Sequence, residues 1–476
     1  MTEDVKRPTI VKGRAPVRRP DVDTLFSINE DGSRNVIHPA DVKGRFQLRK
    51  HLLWYVLLGV YLAMPWVRVG GHPALLFDIQ HRHFYLFGQT FNAQDAWFAF
   101  FFITGLGFTL FVVAALFGRV WCGYACPQTV FLEGLFRRIE RLIEGPHSAR
   151  AKLDKAPLEA KFFRRGLKLA VFFALSAVIT HSFLGYFMPV SDVIDAMTSS
   201  PAAHPVAFTF ALVSTLILFV NFTWFREQLC IVVCPYGRLQ GALYDADTVV
   251  VGYDGNRGEP RGAAGTSGAG DCVDCYRCVS VCPTGIDIRN GTQLECVGCA
   301  NCIDACDAVM DKLGRPRGLV RYDSQRGFET GVRRFVRGRV FLYAVLLLAG
   351  VAAFTIAAAT RRPFEANLLR ARGSSYTLEA GRVHNVFELH LINKRPDTRT
   401  FEIQSVGPAV AEIVLALPEV TLETLKDLRV PVHVFVDEKD YRRGMQCELA
   451  VRCLLPDGTL DVERRAVAPM LGPSGH

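Results

Sequence analysis

Eight of the fourteen cysteines fall within residues 271–307, and they constrain this chain more than any other feature. Cys272, Cys275, Cys278 and Cys282 follow C-x2-C-x2-C-x3-C, with Pro283 next. Cys296, Cys299, Cys302 and Cys306 repeat the spacing 24 residues further on. Bacterial runs of this spacing give three thiolates to one iron–sulfur cluster and the fourth to its neighbour. The spacing therefore predicts one [4Fe–4S] cluster on Cys272, Cys275, Cys278 and Cys306. A second is expected on Cys282, Cys296, Cys299 and Cys302.

Zinc would need only four thiolates per site, in two C-x2-C pairs, and would leave the remaining members of each run unused. A disulfide framework would require an oxidising compartment. Asp307 stands where a second proline would close the repeat. The segment reads as a ferredoxin-like electron-transfer module.

The rest of the chain is read as membrane protein. Half of its residues are hydrophobic, 34 are Phe, and several apolar runs reach the ~20 residues that span a bilayer. Five spans are expected, near 52–69, 96–116, 167–188, 206–225 and 340–359. The formal charge of +9 is concentrated in segments flanking these runs, which suits the positive-inside rule and not a nucleic-acid face. Arg137, Arg138, Arg141, Arg150, Lys152 and Lys155 crowd one connection, whereas residues 189–205 carry no Lys or Arg. The amino terminus and the cysteine-rich module are thus expected inside and the carboxyl terminus outside.

Domain boundaries follow. Residues 1–50 form a basic, disordered tail, with no apolar stretch before Leu52 to serve as a signal peptide. Residues 51–254 form a four-helix unit, 255–339 the ferredoxin-like domain, 340–360 the fifth span and 361–476 an all-β sandwich. The run 255–270 is Gly-rich and reads as a flexible connector. In the last domain, 432–437 and 447–454 alternate in side-chain type as half-buried strands do. Cys447 and Cys453 lie on one face of one strand, roughly 20 Å apart if extended. They are expected in the core.

Four further cysteines form two C-x3-C-P motifs, Cys122 and Cys126 before Pro127, and Cys230 and Cys234 before Pro235, offset by 108 residues. Each follows the second helix of a hairpin, so the two-span unit reads as an internal duplication. Proline suits the first position of a helix, which makes Cys126 and Cys234 N-cap-like, where a thiol pKa is lowered. The helix after Pro127 reads as amphipathic, with Arg137, Arg138 and Arg141 on an anionic membrane surface. Four thiolates there could hold a soft ion such as Cu(I), or zinc, or cycle as dithiols. Packing of buried cysteines at helix ends is the plain alternative. His72, His81, His83, His181 and His204 are weaker candidates, since imidazole suits copper, iron or haem.

FDIQHRHFYLFG (77–88), GRVWCGYACPQTVF (118–131), REQLCIVVCPYGRLQ (226–240), RGEPRG (257–262), CVSVCPTGIDIRNG (278–291) and CIDACDAVMDK (302–312) closely resemble the FixG/CcoG/RdxA-type accessory proteins of cytochrome cbb3 oxidase. The resemblance covers nearly the whole chain after residue 40. It implies five inner-membrane spans, two cytoplasmic [4Fe–4S] clusters and a periplasmic immunoglobulin-like domain. It also implies a role in maturing that copper-containing oxidase, with Cu(II) reduced to Cu(I). Cys122, Cys126, Cys230 and Cys234 are then the residues expected to handle the copper. A cytoplasmic electron donor, oxidase assembly factors and a copper-exporting P-type ATPase are the partners implied. Two other roles are compatible: a quinol-linked subunit for a periplasmic reductase, and a non-enzymatic assembly scaffold.

Overall fold

Apolar runs decide the long helices. The computed structural model describes residues 37–473, apart from 70, 71, 81, 93, 94, 96, 372, 374, 396 and 425. Among the described residues, four helices are long and apolar enough to cross a membrane: Trp97–Phe117, Glu159–Leu184, Pro205–Phe225 and Gly338–Ala359. Their outer faces present Phe102, Ile103, Leu348 and Ile356, as a lipid environment requires of a spanning helix.

The first expected span is displaced. Its helix is Arg45–Ala63, and Arg68–Val69 is already strand. Arg45, Arg49, Lys50 and His51 occupy its first two turns, so it falls outside the four apolar helices. The expected tail is corrected with it. Residues 1–36 lie outside the described residues, but 45–50 are helical because the start of this helix is capped from afar. The Asp304 carboxylate accepts from the backbone N–H groups of Phe46 and Gln47, at 3.2 and 2.8 Å. A carboxylate there satisfies orphan amides and complements the helix dipole. A side chain at Gly44 would collide with Asp304.

The cysteine-rich module is closed by strands Val250–Tyr253 and Val320–Asp323, which pair antiparallel. Its core gathers Val251, Val279, Ile286, Ile288, Ile303 and Val320. The Gly-rich stretch 255–270, expected as a connector, packs onto this fold at three of its glycines, Gly258, Gly262 and Gly270. A Cβ on Gly270 would lie 2.7 Å from the Gly258 carbonyl. Arg257 fastens the loop through Asp271 at 2.5 Å and the Arg317 carbonyl at 3.0 Å.

Charge, and not only apolar packing, joins the helices on the module's side. Glu140 lies between Arg226, Arg150 and Lys168, at 2.6, 3.2 and 3.2 Å. Lys168 also meets Glu144 at 2.7 Å. Arg137, expected on a membrane surface, is buried and pairs with Glu133 and Glu227 instead. The reason is local: a π-helical turn at Leu132–Phe136 rotates the helix that follows it.

A second compact unit comprises Val67–Phe100 and Ala352–His476. One antiparallel sheet has the order Ala411–Leu415, Asp427–Asp437, Arg382–Asn393, Phe364–Arg370, with Thr377–Glu379 added to Arg382–Asn393. The other has the order Glu419–Leu422, Arg399–Gly407, Gln446–Leu454, Leu460–Pro469. Period-two alternation buries Phe387, Leu389 and Leu391 against Phe401, Leu449 and Val451. Cys447 and Cys453 are fully buried in that core, as their spacing predicts. Strands Leu75–Asp78, His83–Leu86 and Gln89–Asn92 form a small sheet in the same unit. Lys394 joins this segment to the sandwich, reaching Asp95 at 2.8 Å and Glu365 at 2.7 Å.

Burial pushes the Glu140 carboxyl up, but Arg226, Lys168 and Arg150 overcome this and hold it well below the usual carboxylate range. A depressed folded-state value means that the stabilisation is present above the unfolded value of 4.5 and is lost as pH falls through that region. Glu140→Gln leaves buried cations unpaired and is expected to cost about 3–5 kcal/mol at neutral pH. Thermal unfolding in detergent measures this, and the gap between variant and parent should narrow below about pH 4.

Candidate functional site

The cysteine run winds so that sequence order and spatial order differ. Helix Asn301–Lys312 starts just before Cys302 and carries Cys306 one turn later. Left-handed residues at Tyr276 and Ala300 turn the chain into the helices bearing Cys278 and Cys302. Cys272, Cys275, Cys278 and Cys306 line one cavity, together with Tyr253 and Leu319. Cys282, Cys296, Cys299 and Cys302 line another with Ile286 and Val297, and Cys278 also reaches this second wall. The structure thus brings together the two sets expected from the spacing, each completed by a cysteine from the other run.

The donor chemistry fits a cluster. Burial, above all, pushes the thiols of Cys278, Cys296 and Cys306 up to about 12, and neighbouring thiols add to the shift at each. Several thiolates cannot share such a pocket without a cationic core between them. Among the described residues, no three His, Cys, Asp or Glu side chains converge closely enough for a single metal ion. Each cavity is lined by all four cysteines of one expected set, which matches the four thiolates that an iron–sulfur cluster takes.

The two C-x3-C-P motifs fold alike. The N–H of Cys126 donates to the Trp121 carbonyl at 2.9 Å, and that of Cys234 donates to the Leu229 carbonyl at 2.8 Å, five residues back in both cases. Each cysteine is extended, with Pro127 or Pro235 at the first position of the next helix. Gly118 and Arg226, also 108 residues apart, both have a positive φ. Between the hairpins, the Asn221 amide donates to Gln128 at 2.8 Å.

Cys122, Cys126, Cys230 and Cys234 share one electrostatic neighbourhood. Burial pushes Cys122 and Cys230 up to about 12, with Cys126 and Cys234 adding to it in both cases. The Cys126 thiol is also raised, and here the sequence expectation fails. Burial outweighs the backbone amides of Gln128 and Thr129, which favour the thiolate. Arg119 and Gln240, unmarked in the sequence, stand beside these thiols. Arg119 binds the Gly237 carbonyl, and Cys122 donates to Gln240 at 3.6 Å.

One close approach joins the two kinds of site. A Cβ on Gly123 would lie 2.6 Å from the Gly298 carbonyl oxygen and 3.1 Å from the Cys299 Cα. Tyr322 donates to the same Gly298 carbonyl at 2.7 Å, and the Trp54 indole donates to the Tyr124 carbonyl at 2.9 Å.

Among the described residues, the histidines singled out in the sequence do not gather. His81 and the side chain of His72 lie outside the described residues. His83 is in the small sheet, and His204 pairs with Asp195 at 3.0 Å. His181 bonds to the Ala177 carbonyl at 2.7 Å and lines a cavity of about 270 Å³ with Met188, Met197 and Phe208.

A family model described as a 4Fe-4S dicluster domain matches residues 225–325, and one described as a 4Fe-4S binding domain matches 98–146. A third, an IG-like fold at the C-terminal of FixG, matches 354–467. The chain is 41% identical to Protein RdxA of Cereibacter sphaeroides over 397 residues, 79% of this chain and 83% of that one. It is 36% identical to Nitrogen fixation protein FixG of Rhizobium meliloti over 484 residues, 89% and 91% of the two chains. A crystal structure of a FixG-related protein from Vibrio parahaemolyticus matches 23% of this chain and 97% of its own, with 14% identity and a TM-score of 0.20.

Crossed sets have a test that sequence-ordered sets would fail. Cys306→Ser and Cys275→Ser should abolish the same cluster signal, and Cys282→Ser and Cys302→Ser the other, each with loss of about half the iron. EPR of the reduced variants, with iron quantitation, decides it.

Proposed function

This chain belongs to the FixG/RdxA family of iron–sulfur proteins, and we propose that it passes electrons from its two cluster sites to Cu(II) at the membrane face. The product, Cu(I), would serve assembly of a copper-containing cytochrome cbb3 oxidase. The observation that carries this reading is the backbone contact of Gly123 with Gly298 and Cys299. It brings a C-x3-C-P loop against the loop of a cluster ligand.

Clusters held by these cysteines, when bound, store and pass single electrons. The chain's own residues set the route. Cys278 lines both cavities, so the two sites share a wall. From Cys299, the Gly123 contact leads to Cys122, Cys126, Cys230 and Cys234. Cu(II) bound among those thiols takes one electron and becomes Cu(I), with no proton required. Sulfur donors favour Cu(I), so the site also retains its product until a partner removes it.

The distribution of charge supports the orientation. Helix Arg45–Ala63 acts as a fifth span with its basic start inside, and the cysteine-rich module lies on the same, cytoplasmic side of an inner membrane. The sandwich is then periplasmic and available to oxidase assembly factors. A cytoplasmic reductant supplies the electrons and a copper-exporting ATPase takes up Cu(I).

The cavity beside His181 favours a second reading, in which a quinol binds at the far end of Glu159–Leu184 and the chain serves a periplasmic reductase. An imidazole in an apolar cavity of about 270 Å³ has the chemistry to bond a quinol hydroxyl.

The purified protein, reduced anaerobically and mixed with Cu(II), should lose its reduced-cluster EPR signal as Cu(I) accumulates. A Cys122→Ser, Cys230→Ser double variant should retain both clusters and lose most Cu(II) reduction and Cu(I) retention. Reoxidation by a quinone and not by Cu(II) would replace the first reading with the second.

A further inference from the structure

Lys50 is buried to 1% exposure, and among the described residues its charge has no carboxylate counterpart. Its Nζ donates to the Cys299 carbonyl at 2.6 Å and to Asn301 Oδ1 at 2.5 Å, and the Trp54 ring centroid is 5.4 Å away. All three partners are neutral. Among the described residues, no carboxylate lies within ion-pair distance of this ammonium. The nearby carboxylates are engaged elsewhere: Asp304 by the amides of Phe46 and Gln47, Glu133 by Arg137. A buried ammonium is costly unless negative charge lies beside it.

The donor set beside it supplies that charge. Four thiolates around an iron–sulfur core carry net negative charge, and Cys299 is one of the four. Reduction adds a further negative charge next to a fixed positive one. Burial leaves that attraction little screened. The other site has no buried cation left uncompensated. Arg289 lines it, but Asp287 at 2.6 Å and Asp274 at 2.6 Å neutralise that guanidinium; Arg277 lines it from an exposed position, and Asp307, next to Cys306, pairs with Arg45 at 3.5 Å.

We propose that Lys50 is a positioning residue for the electron: its ammonium raises the reduction potential of the cluster held by Cys282, Cys296, Cys299 and Cys302 above that of its neighbour. The site against Gly123 is then the preferred seat of the first electron. The capped helix Arg45–Ala63 holds Lys50 in place, so this helix polarises the pair. The inference rests on both sites holding clusters, as the reading above assumes, but not on copper as acceptor.

An EPR-monitored redox titration of the full-length protein in detergent tests it. Lys50→Gln should move the first electron toward the other cluster by at least tenfold, equivalent to 59 mV for one electron, with iron content unchanged. Lys50→Arg should restore most of the shift. If Lys50→Gln fails to load iron, Asn301→Asp supplies the same reading by neutralising the ammonium in place, and it should move the electron in the same direction. A loaded variant whose two potentials match the parent overturns the proposal. Potentials that move as expected while Cu(II) remains unreduced would leave the proposal standing and remove only the copper reading.

Discussion

The contact between Gly123 and the Gly298–Cys299 loop is the constraint on which the rest of the arrangement depends. Two backbones meet there with no room for a Cβ, so the C-x3-C-P motif and the cluster-ligand loop are fixed to one another without intervening side chains. The surrounding bonds all serve this approach. Tyr322 and Trp54 hold the carbonyls on either side of it, and Lys50 holds that of Cys299. A side chain at either glycine would separate the two thiol sites by pushing backbone against backbone, where close-packed interiors yield least.

Polar groups do much of the work that apolar packing does in the sandwich. The β unit is held by alternating Val, Leu and Phe, and its two buried cysteines are simply part of that core. On the other unit, Glu140 with Arg226, Arg150 and Lys168 ties the connection after one hairpin to the end of the other. Buried ion pairs are weak evidence of net stability, but they tolerate no change of register, because displacing one partner leaves the others unpaired. Such a network fixes geometry, and the backbone approach of Gly123 to Gly298 requires fixed geometry.

The sequence made the ligand sets, the four apolar helices, the β strands and the duplicated motifs legible, because each depends on local spacing. What it hid depends on distant partners. Residues 45–50 look like the end of a basic tail, and only Asp304, more than 250 residues away, makes them helix. Lys50 looks like one more surface lysine until Cys299 and Asn301 close over it. Arg137 looks like a membrane-surface residue of an amphipathic helix, but the structure buries it against Glu133 and Glu227. The Gly-rich 255–270 composition suggests a free connector, yet Gly258, Gly262 and Gly270 sit in close packing.

The duplication explains how the thiols can match while their surroundings differ. Gly118 and Arg226 share a positive φ at equivalent positions, which costs an arginine more than a glycine. At 118 the turn faces Val250 and Tyr244, and a Cβ would lie 2.9 Å from Val250. At 226 the side chain reaches Glu140, and the ion pair offsets the backbone strain. The first hairpin therefore meets the module through bare backbone at Gly118 and Gly123. The second meets it at Gly241, against the side chain of Leu294. Equal thiols on unequal supports give the C-x3-C-P cysteines one closely packed side, toward Cys299, and in the function proposed above that is the side an electron would cross.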